Sequence, residues 1–429
     1  MPTRTRRPNR TPRTPAKRTP SESPSRGERP SGANGPSRPS RDASRPRRER
    51  PAANDTPRST PQLTKAARVK GPVYFGHVVP GLERLAAREL GEILDGAEVI
   101  ETLKQFDDRT SLLLFGYGGD AADLLDLTLF EDVFVLVVDR AGIGGERAAL
   151  KTVAGLVAGP ALDEAFRTVN PLRPGNRRKP TYRAIARMAG DHAYRRTDLR
   201  ATVEQAIGER HPDWAMTDPA RIEVWTQLVG DRLVSGIRLS DETMRQRTYK
   251  LANLPASLKP TVARAMALLT KPQDDDVFLD PMCGGGTILI ERAHVGRYAR
   301  LEGGDIEHAA VQATLENVGT RYKPIEVREW DARSLPFADG EIGAIACNLP
   351  FGKQVGTREG NQKLYPKLLD EWTRVLKPGG RMVLLTSEGR LLRALAKDRP
   401  GLVSEQILHV VVRGLPAEIF VLLRVPDAT

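Results

Sequence analysis

Four segments of this chain close apolar runs with residues that could do chemistry. The first reads Val277-Phe278-Leu279-Asp280-Pro281-Met282-Cys283-Gly284-Gly285-Gly286-Thr287. Three glycines let backbone approach a ligand closely, and a helix starting at Ile288 would turn N–H groups toward an anion such as a carboxylate. The second and third segments end at Gly303-Gly304-Asp305-Ile306 and at Trp330-Asp331-Ala332. Asp305 can accept hydrogen bonds from both hydroxyls of a ribose, and Asp331 one from an adenine amino group. Singly these are weak signals, because a plain tight turn or a turn aspartate reads the same way. The glycine turn also lacks the Gly-Lys-Ser/Thr of a P-loop and the GxGxxG spacing. Three successive ends that suit one adenosine-containing ligand are harder to ascribe to chance.

The fourth segment, Cys347-Asn348-Leu349-Pro350-Phe351-Gly352-Lys353, is the most specific. An exocyclic amine on a base is a poor nucleophile because its lone pair is delocalised into the ring. The Asn348 side-chain oxygen and a following backbone carbonyl can accept its two hydrogens and aim the lone pair at an electrophilic carbon. Pro350 removes a competing N–H and stiffens the loop, while Phe351 can stack on an extruded base. An Asn-Leu-Pro-Phe turn that merely closes a strand is the plainer alternative.

These segments need a frame that brings strand ends together. From residue 257 onward the pattern is a helix carrying Val262, Met266 and Leu269, then alternating strands and helices. Strands are legible at 277–280, 300–304, 325–330, 342–347 and 381–386, and two more near 405–412 and 417–425 flank Arg413-Gly414-Leu415-Pro416. The expected fold class is α/β, a doubly wound, Rossmann-like sheet of seven strands ending in an antiparallel hairpin, where ligands bind beyond the carboxyl ends of the strands. It would occupy residues 247–429. Upstream, strands at 73–79, 111–115 and 133–138, with helical spacing at 82–93 and 121–129, predict a small α+β domain over 71–142. A further module over 143–246 has an alternating strand at 181–188 and a helix with Thr197 as N-cap. A hairpin at Gly230-Asp231 joins its strands 222–228 and 232–239.

The net charge of +12 is unevenly spread. Residues 1–70 hold 19 of the 66 basic and 5 of the 54 acidic side chains, so the remainder is close to neutral. That Arg/Pro/Ser-rich stretch has almost no large apolar residue before Leu63 and is expected to be a disordered basic tail. Any nucleic-acid face on the folded part must therefore come from local clustering. One such cluster comprises Arg173, Arg177, Arg178, Lys179, Arg183, Arg187, Arg195, Arg196 and Arg200, interleaved with Tyr182 and Tyr194, and is read as an RNA-contacting face. A solvated charged face is the alternative. Two cysteines exclude a disulfide scaffold and a four-thiolate zinc site, and the six histidines show no ligand spacing, so no metal is expected. No apolar run reaches a membrane span, and the N-terminus lacks the apolar core of a secretory signal, which leads to the expectation of a cytoplasmic protein without membrane partners.

On the strength of Asp280 through Thr287, Gly304-Asp305-Ile306, Asp331-Ala332, Asn348-Leu349-Pro350-Phe351-Gly352 and Val375-Leu376-Lys377-Pro378-Gly379-Gly380, the chain resembles the THUMP-domain family of Rossmann RNA methyltransferases across 71–429. The resemblance implies a ferredoxin-like domain over 71–142, a THUMP RNA-binding domain over 143–246 and a class I methyltransferase domain using S-adenosyl-L-methionine. It implies donor contacts from Asp280, Pro281, Cys283, Gly284, Gly286, Thr287, Asp305, Ile306, Asp331, Ala332 and Asn348. Catalysis would rest on Asn348, Leu349, Pro350 and Phe351, and RNA binding on Arg177, Arg178, Lys179, Arg183, Arg195, Arg196 and Lys353. Asn-Leu-Pro-Phe-Gly is similar to members that make N2-methylguanosine at the sixth nucleotide of tRNA, in the acceptor stem. Members acting on ribosomal RNA or the tenth tRNA position more often carry Pro-Pro-Tyr. The expected partner is tRNA or another structured RNA, with a monomer favoured; a ribosomal RNA methyltransferase of the same build and a non-catalytic RNA-binding protein are the alternatives.

Overall fold

The computed structural model describes residues 62–66, 71–175, 178–255, 257–352 and 356–426. The expected tail, apart from 62–66, and the candidate RNA contacts Arg177 and Lys353 lie outside the described residues.

The described chain forms two sheets. The first contains β1 (Gln62–Leu63), β2 (Val73–Val78), β3 (Glu98–Asp107), β4 (Thr110–Gly116), β5 (Phe130–Ala141), β6 (Thr181–Ala189), β7 (Ala215–Met216), β8 (Ile222–Val229) and β9 (Arg232–Arg238). Helices α1 (Glu83–Ile93), α2 (Ala149–Val157), α3 (Pro160–Val169) and α4 (Arg196–Arg210) pack against it through Leu82, Leu90, Val153, Leu162, Leu199 and Val203. The strand order is β3-β4-β2-β5-β9-β8-β6-β7, with β1 on the side of β5. The pairing of β5 with β9, from Phe134↔Arg238 to Arg140↔Leu233, carries this one sheet across the boundary expected near residue 142.

A short helix α5 (Thr243–Gln246) and a linker lead to α6 (Pro260–Leu269) and the second sheet. That sheet is built from β10 (Val277–Asp280), α7 (Thr287–Ala293), β11 (Arg300–Asp305), α8 (His308–Val318), β12 (Ile325–Glu329), β13 (Ile342–Asn348), α9 (Arg358–Val375), β14 (Leu376–Thr386), α10 (Gly389–Lys397), β15 (Leu402–Val412) and β16 (Leu415–Arg424). Its order is β12-β11-β10-β13-β14-β16-β15, the first five parallel and the last two antiparallel. This is the expected Rossmann-like sheet of seven strands with a terminal hairpin. The chain order reverses beside β10, so the crevice lies over the ends of β10, β11 and β13. Central strands read as continuous apolar runs because helices cover both faces: Phe278, Leu279, Ile345, Ala346, Leu384 and Leu385 are fully buried.

Several local expectations are corrected. Residues 121–126 make a six-residue 3-10 turn, too short for the helix expected to reach 129, because β5 already begins at Phe130. Thr197 is not the N-cap of α4. The cap is Arg195, in extended backbone, whose N–H donates to the Asp198 carboxylate at 2.9 Å. α6 starts at Pro260, three residues later than expected, with the proline at its first position. β3, α2 and α3 had no counterpart in the sequence reading.

Candidate active site

The glycine turn after β10 is held from several sides. Cys283 N–H donates to Gly304 O at 2.9 Å, which joins the turn to the end of β11. Thr314 Oγ1 donates to Gly284 O at 2.7 Å and Asn317 Nδ2 to Gly285 O at 2.8 Å, both from α8. Trp330 Nε1 donates to Pro281 O at 3.0 Å. Gly284 and Gly286 take φ of +54° and +72°, which a side chain would strain. A Cβ on Gly284 would meet nothing within 4 Å, whereas one on Gly286 would strike Thr314 at 2.7 Å. Gly284 thus faces open space, and Gly286 allows α8 to approach. Pro281, Cys283 and Thr287 are buried beneath the turn.

Asp305 ends β11 with both oxygens engaged once: Gly284 N–H donates at 3.0 Å and Glu307 N–H at 3.1 Å. Each oxygen keeps a further lone pair. The next residue, Ile306, is 57% exposed, an apolar side chain left uncovered at the rim. Asp331 is placed at its strand end as expected, yet Arg333 grips its carboxylate from the same turn, with Nε 2.8 Å from Oδ1 and Nη2 2.5 Å from Oδ2. That fork holds its pKa below the usual carboxylate range, and an adenine amino group would share the carboxylate with Arg333. Ala332 is buried and its carbonyl accepts from Trp372 Nε1 at 2.9 Å.

Two buried acceptors in the crevice have no partner: Asp280 Oδ1 and Asn348 Oδ1. Such atoms cost free energy unless a ligand or water satisfies them. Burial pushes the Asp280 carboxyl well up, and Asp305 pushes it further the same way, while no basic side chain counters them. A ligand carrying positive charge fits this electrostatic setting. Burial, with Asp280 nearby, likewise raises the Cys283 and Cys347 thiols, so both stay protonated and neither is a nucleophile.

The Asn348 loop is fastened from α9 and β14. Pro350 O accepts from Asn361 Nδ2 and from Tyr365 Oη, both at 2.8 Å. Tyr365 Oη is also 2.9 Å from Thr386 Oγ1, and Ser387 Oγ donates to Phe351 O at 3.2 Å. With Pro350 O doubly occupied, the carbonyl left beside Asn348 for an incoming amine is that of Leu349, whose own N–H is tied to Leu385 O at 3.0 Å. Phe351 is half-buried and keeps one part toward solvent.

Thr314, Asn317, Asn361 and Tyr365 were absent from the sequence reading. Their signal was a polar residue on an otherwise buried helical face, at i and i+3 in α8 and i and i+4 in α9. Tyr365→Phe deletes one hydroxyl and leaves the ring. A lost hydrogen bond of about 1 kcal/mol corresponds to roughly fivefold in rate. The expected result is a fall in kcat of that size with unchanged donor KM, measured by steady-state kinetics.

The basic cluster divides. Arg178, Lys179, Arg195 and Arg196 are exposed. Arg183 is withdrawn from the expected RNA face, because it pairs with Asp218 and Glu223 and is three-quarters buried. Arg173 donates to the carbonyls of Arg238 and Ser240 at 2.7 and 2.9 Å, and Arg187 lies 4.9 Å over Trp225. Arg200 pairs with Glu204 at 2.9 Å. Tyr182 and Tyr194 are buried, so neither offers a ring to a base.

Residues 247–415 match a family model described as RMKL-like, methyltransferase domain. Over 223 residues the chain is 32% identical to the tRNA (guanine(6)-N(2))-methyltransferase THUMP3 of Bos taurus, a match covering 48% of this chain and 44% of the relative. The match thus takes in less than half of that relative's length. Among solved structures, TrmN from Thermus thermophilus aligns with a TM-score of 0.66 at 24% identity, covering 82% of this chain and 100% of that one. SMU.472, solved in complex with SAH, aligns with a TM-score of 0.61 at 14% identity over 84% of this chain and 100% of that one. At these identities the two structures speak for the fold.

Proposed function

We propose that the whole chain, whose residues 247–415 match the RMKL-like methyltransferase-domain model, is an S-adenosylmethionine-dependent RNA methyltransferase acting on the N2 amine of a guanine in tRNA, at the sixth nucleotide in the acceptor stem. The observation that carries this reading is the pair of unpartnered, buried acceptors, Asp280 Oδ1 and Asn348 Oδ1, at the ends of the neighbouring parallel strands β10 and β13. The relative named for guanine-N2 methylation of tRNA supports the choice of substrate.

In this reading the glycine turn, Asp305, Ile306 and Asp331 hold the donor, whose sulfonium supplies an electrophilic methyl group. Asp305 gives the pocket a negative field that favours that cation, and a cation beside Asp280 would in turn favour the ionised form of its buried carboxyl. Asn348 Oδ1 and Leu349 O accept the two amine hydrogens of the guanine, which localises the nitrogen lone pair. Phe351 stacks on the extruded base. After transfer the surplus proton stays on the methylated nitrogen, hydrogen-bonded to Asn348 Oδ1, until water removes it.

The placement of RNA falls to the N-terminal sheet domain, read as ferredoxin-like and THUMP modules, through Arg178, Lys179, Arg195 and Arg196. Charge reversal of both Arg195 and Arg196 tests this. Acidic residues suit the first turn of a helix, so α4 should survive. Binding to tRNA should weaken and its log–log salt slope should fall by roughly 0.9 per lost phosphate contact, by analogy with duplex DNA. Binding of S-adenosylhomocysteine should be unchanged. A silent double variant would move the RNA face elsewhere. The function itself is tested by mass-spectrometric mapping of modified nucleosides in RNA from a deletion strain. Loss of N2-methylguanosine at tRNA position 6 is the expected result; loss from ribosomal RNA alone, or no loss, would refute it.

A further inference from the structure

The linker between the two sheet domains is fastened at both ends to the helices that support the donor turn. Asn317, fully buried on α8, uses its whole carboxamide there. Its Oδ1 accepts from Leu251 N–H and Ala252 N–H, both at 2.8 Å, and its Nδ2 donates to Ala252 O at 3.0 Å. The same Nδ2 donates to Gly285 O at 2.8 Å, in the middle of the glycine turn. Five residues upstream, Arg247 spans the junction. Its Nη2 donates to Thr128 O of the N-terminal domain at 2.6 Å, and its Nε lies 3.3 Å from Glu291 Oε1 on α7, the helix that follows the glycine turn. Tyr249 Oη donates to the same Glu291 oxygen at 2.6 Å. Leu251, Asn253 and Pro255 are exposed, whereas Tyr249 is buried against Ile290 of α7 and Val318 of α8, so the apolar packing of the linker also falls on these two helices. Other contacts between the domains, Val411 N–H to Pro80 O at 3.1 Å and Lys259 with Glu131 at 2.6 Å, do not reach the donor turn.

We propose that Asn317 and Arg247 are positioning residues that couple donor binding to RNA binding through residues 247–252. The proposal rests on the reading of the N-terminal domain as the part that grips RNA. A donor in the crevice stiffens Gly284–Gly286. Asn317 passes that constraint to Leu251 and Ala252, and Arg247 passes it to Thr128. An RNA that must touch both domains then has less freedom left to remove, so each ligand strengthens the other. By thermodynamic reciprocity the two enhancements are equal.

The test measures S-adenosylhomocysteine affinity by titration calorimetry, with and without saturating unmodified tRNA, on the full chain. Wild-type protein should bind S-adenosylhomocysteine more tightly by about fivefold or more when tRNA is present, and the reverse titration should give the same factor. Arg247→Met touches neither Gly285 nor the glycine turn, so its binding of S-adenosylhomocysteine alone should persist while the factor falls toward one. Asn317→Asp keeps the two acceptances from the linker but loses the donation to Gly285 O, so its binding of S-adenosylhomocysteine alone should weaken and the factor should fall with it. A merely structural role would lower the thermal midpoint and leave the factor untouched. Should the buried aspartate prevent folding, Arg247→Met and the wild-type titrations still decide. Wild-type protein that binds both ligands with no mutual effect, or Arg247→Met that retains the factor, would overturn the coupling alone. Wild-type protein that binds S-adenosylhomocysteine and no tRNA would overturn the RNA reading instead.

Discussion

Asn348→Ala should lower the turnover of the proposed tRNA methylation by about 100- to 1,000-fold, the range seen when one preorganised polar contact to a reacting group is removed. Binding of S-adenosylhomocysteine should stay within a few fold. The expectation follows from where the side chain stands. Asn348 closes β13, and its Oδ1 is buried with no protein partner. The backbone below it is fixed by the Leu349 N–H to Leu385 O bond at 3.0 Å, and the loop above by Asn361 and Tyr365. Removing the carboxamide therefore takes away an acceptor without releasing the loop. Tritium transfer to tRNA beside calorimetric titration separates chemistry from donor binding. Asn348→Asp keeps two oxygens and should retain more activity than alanine. Near-normal transfer by the alanine variant would mean that the amine is received elsewhere.

The second large effect belongs to the donor. Asp305→Ala should weaken S-adenosylhomocysteine binding by at least about tenfold, since each hydrogen bond to a charged acceptor contributes roughly 1.5–3 kcal/mol. Two losses combine at this position. The carboxylate no longer meets ribose hydroxyls, and Gly284 N–H loses the acceptor that holds it at 3.0 Å. Asp305→Asn helps to divide them. An amide can still accept one bond from Gly284 and offers a weaker acceptor to the sugar, so its affinity should fall between alanine and wild type. Unchanged affinity in the alanine variant would place the ribose away from the end of β11.

Much of the methyltransferase domain was legible because its strands are buried on both faces. A run such as Val277–Asp280 or Ile342–Asn348 is apolar throughout and ends where the chain must turn, and those ends are where the ligand groups sit. The N-terminal half was harder to read for a physical reason. β3, Glu98–Asp107, carries Glu98, Glu101, Lys104 and Gln105 on a largely exposed strand, and only Phe106 is buried. α2 and α3 are short and are separated by Gly159-Pro160, which obscures their helical spacing. The arginine cluster misled in part because composition counts charges and not their partners. Arg183 and Arg187 are matched by Asp218, Glu223 and Asp107, which lie 35 or more positions away in sequence. Asn317 and Tyr365 offer only the faint signal of a polar residue on a buried helical face, because the carbonyls they hold belong to turns 32 and 15 positions away.

The shared strand β5 constrains how the molecule can be dissected. It lends one edge to β2 and the other to β9, so the nine-stranded sheet has no internal seam. Cutting the chain near residue 142 would bare the facing edges of β5 and β9, with their rows of unpaired N–H and C=O groups. Bare edges recruit whatever strand is nearest, including the same strand of another molecule. A fragment beginning at 143 would therefore tend to aggregate however well its own helices pack. Anyone transplanting the N-terminal domain onto a different methyltransferase would have to carry residues 72–246 as one indivisible cassette.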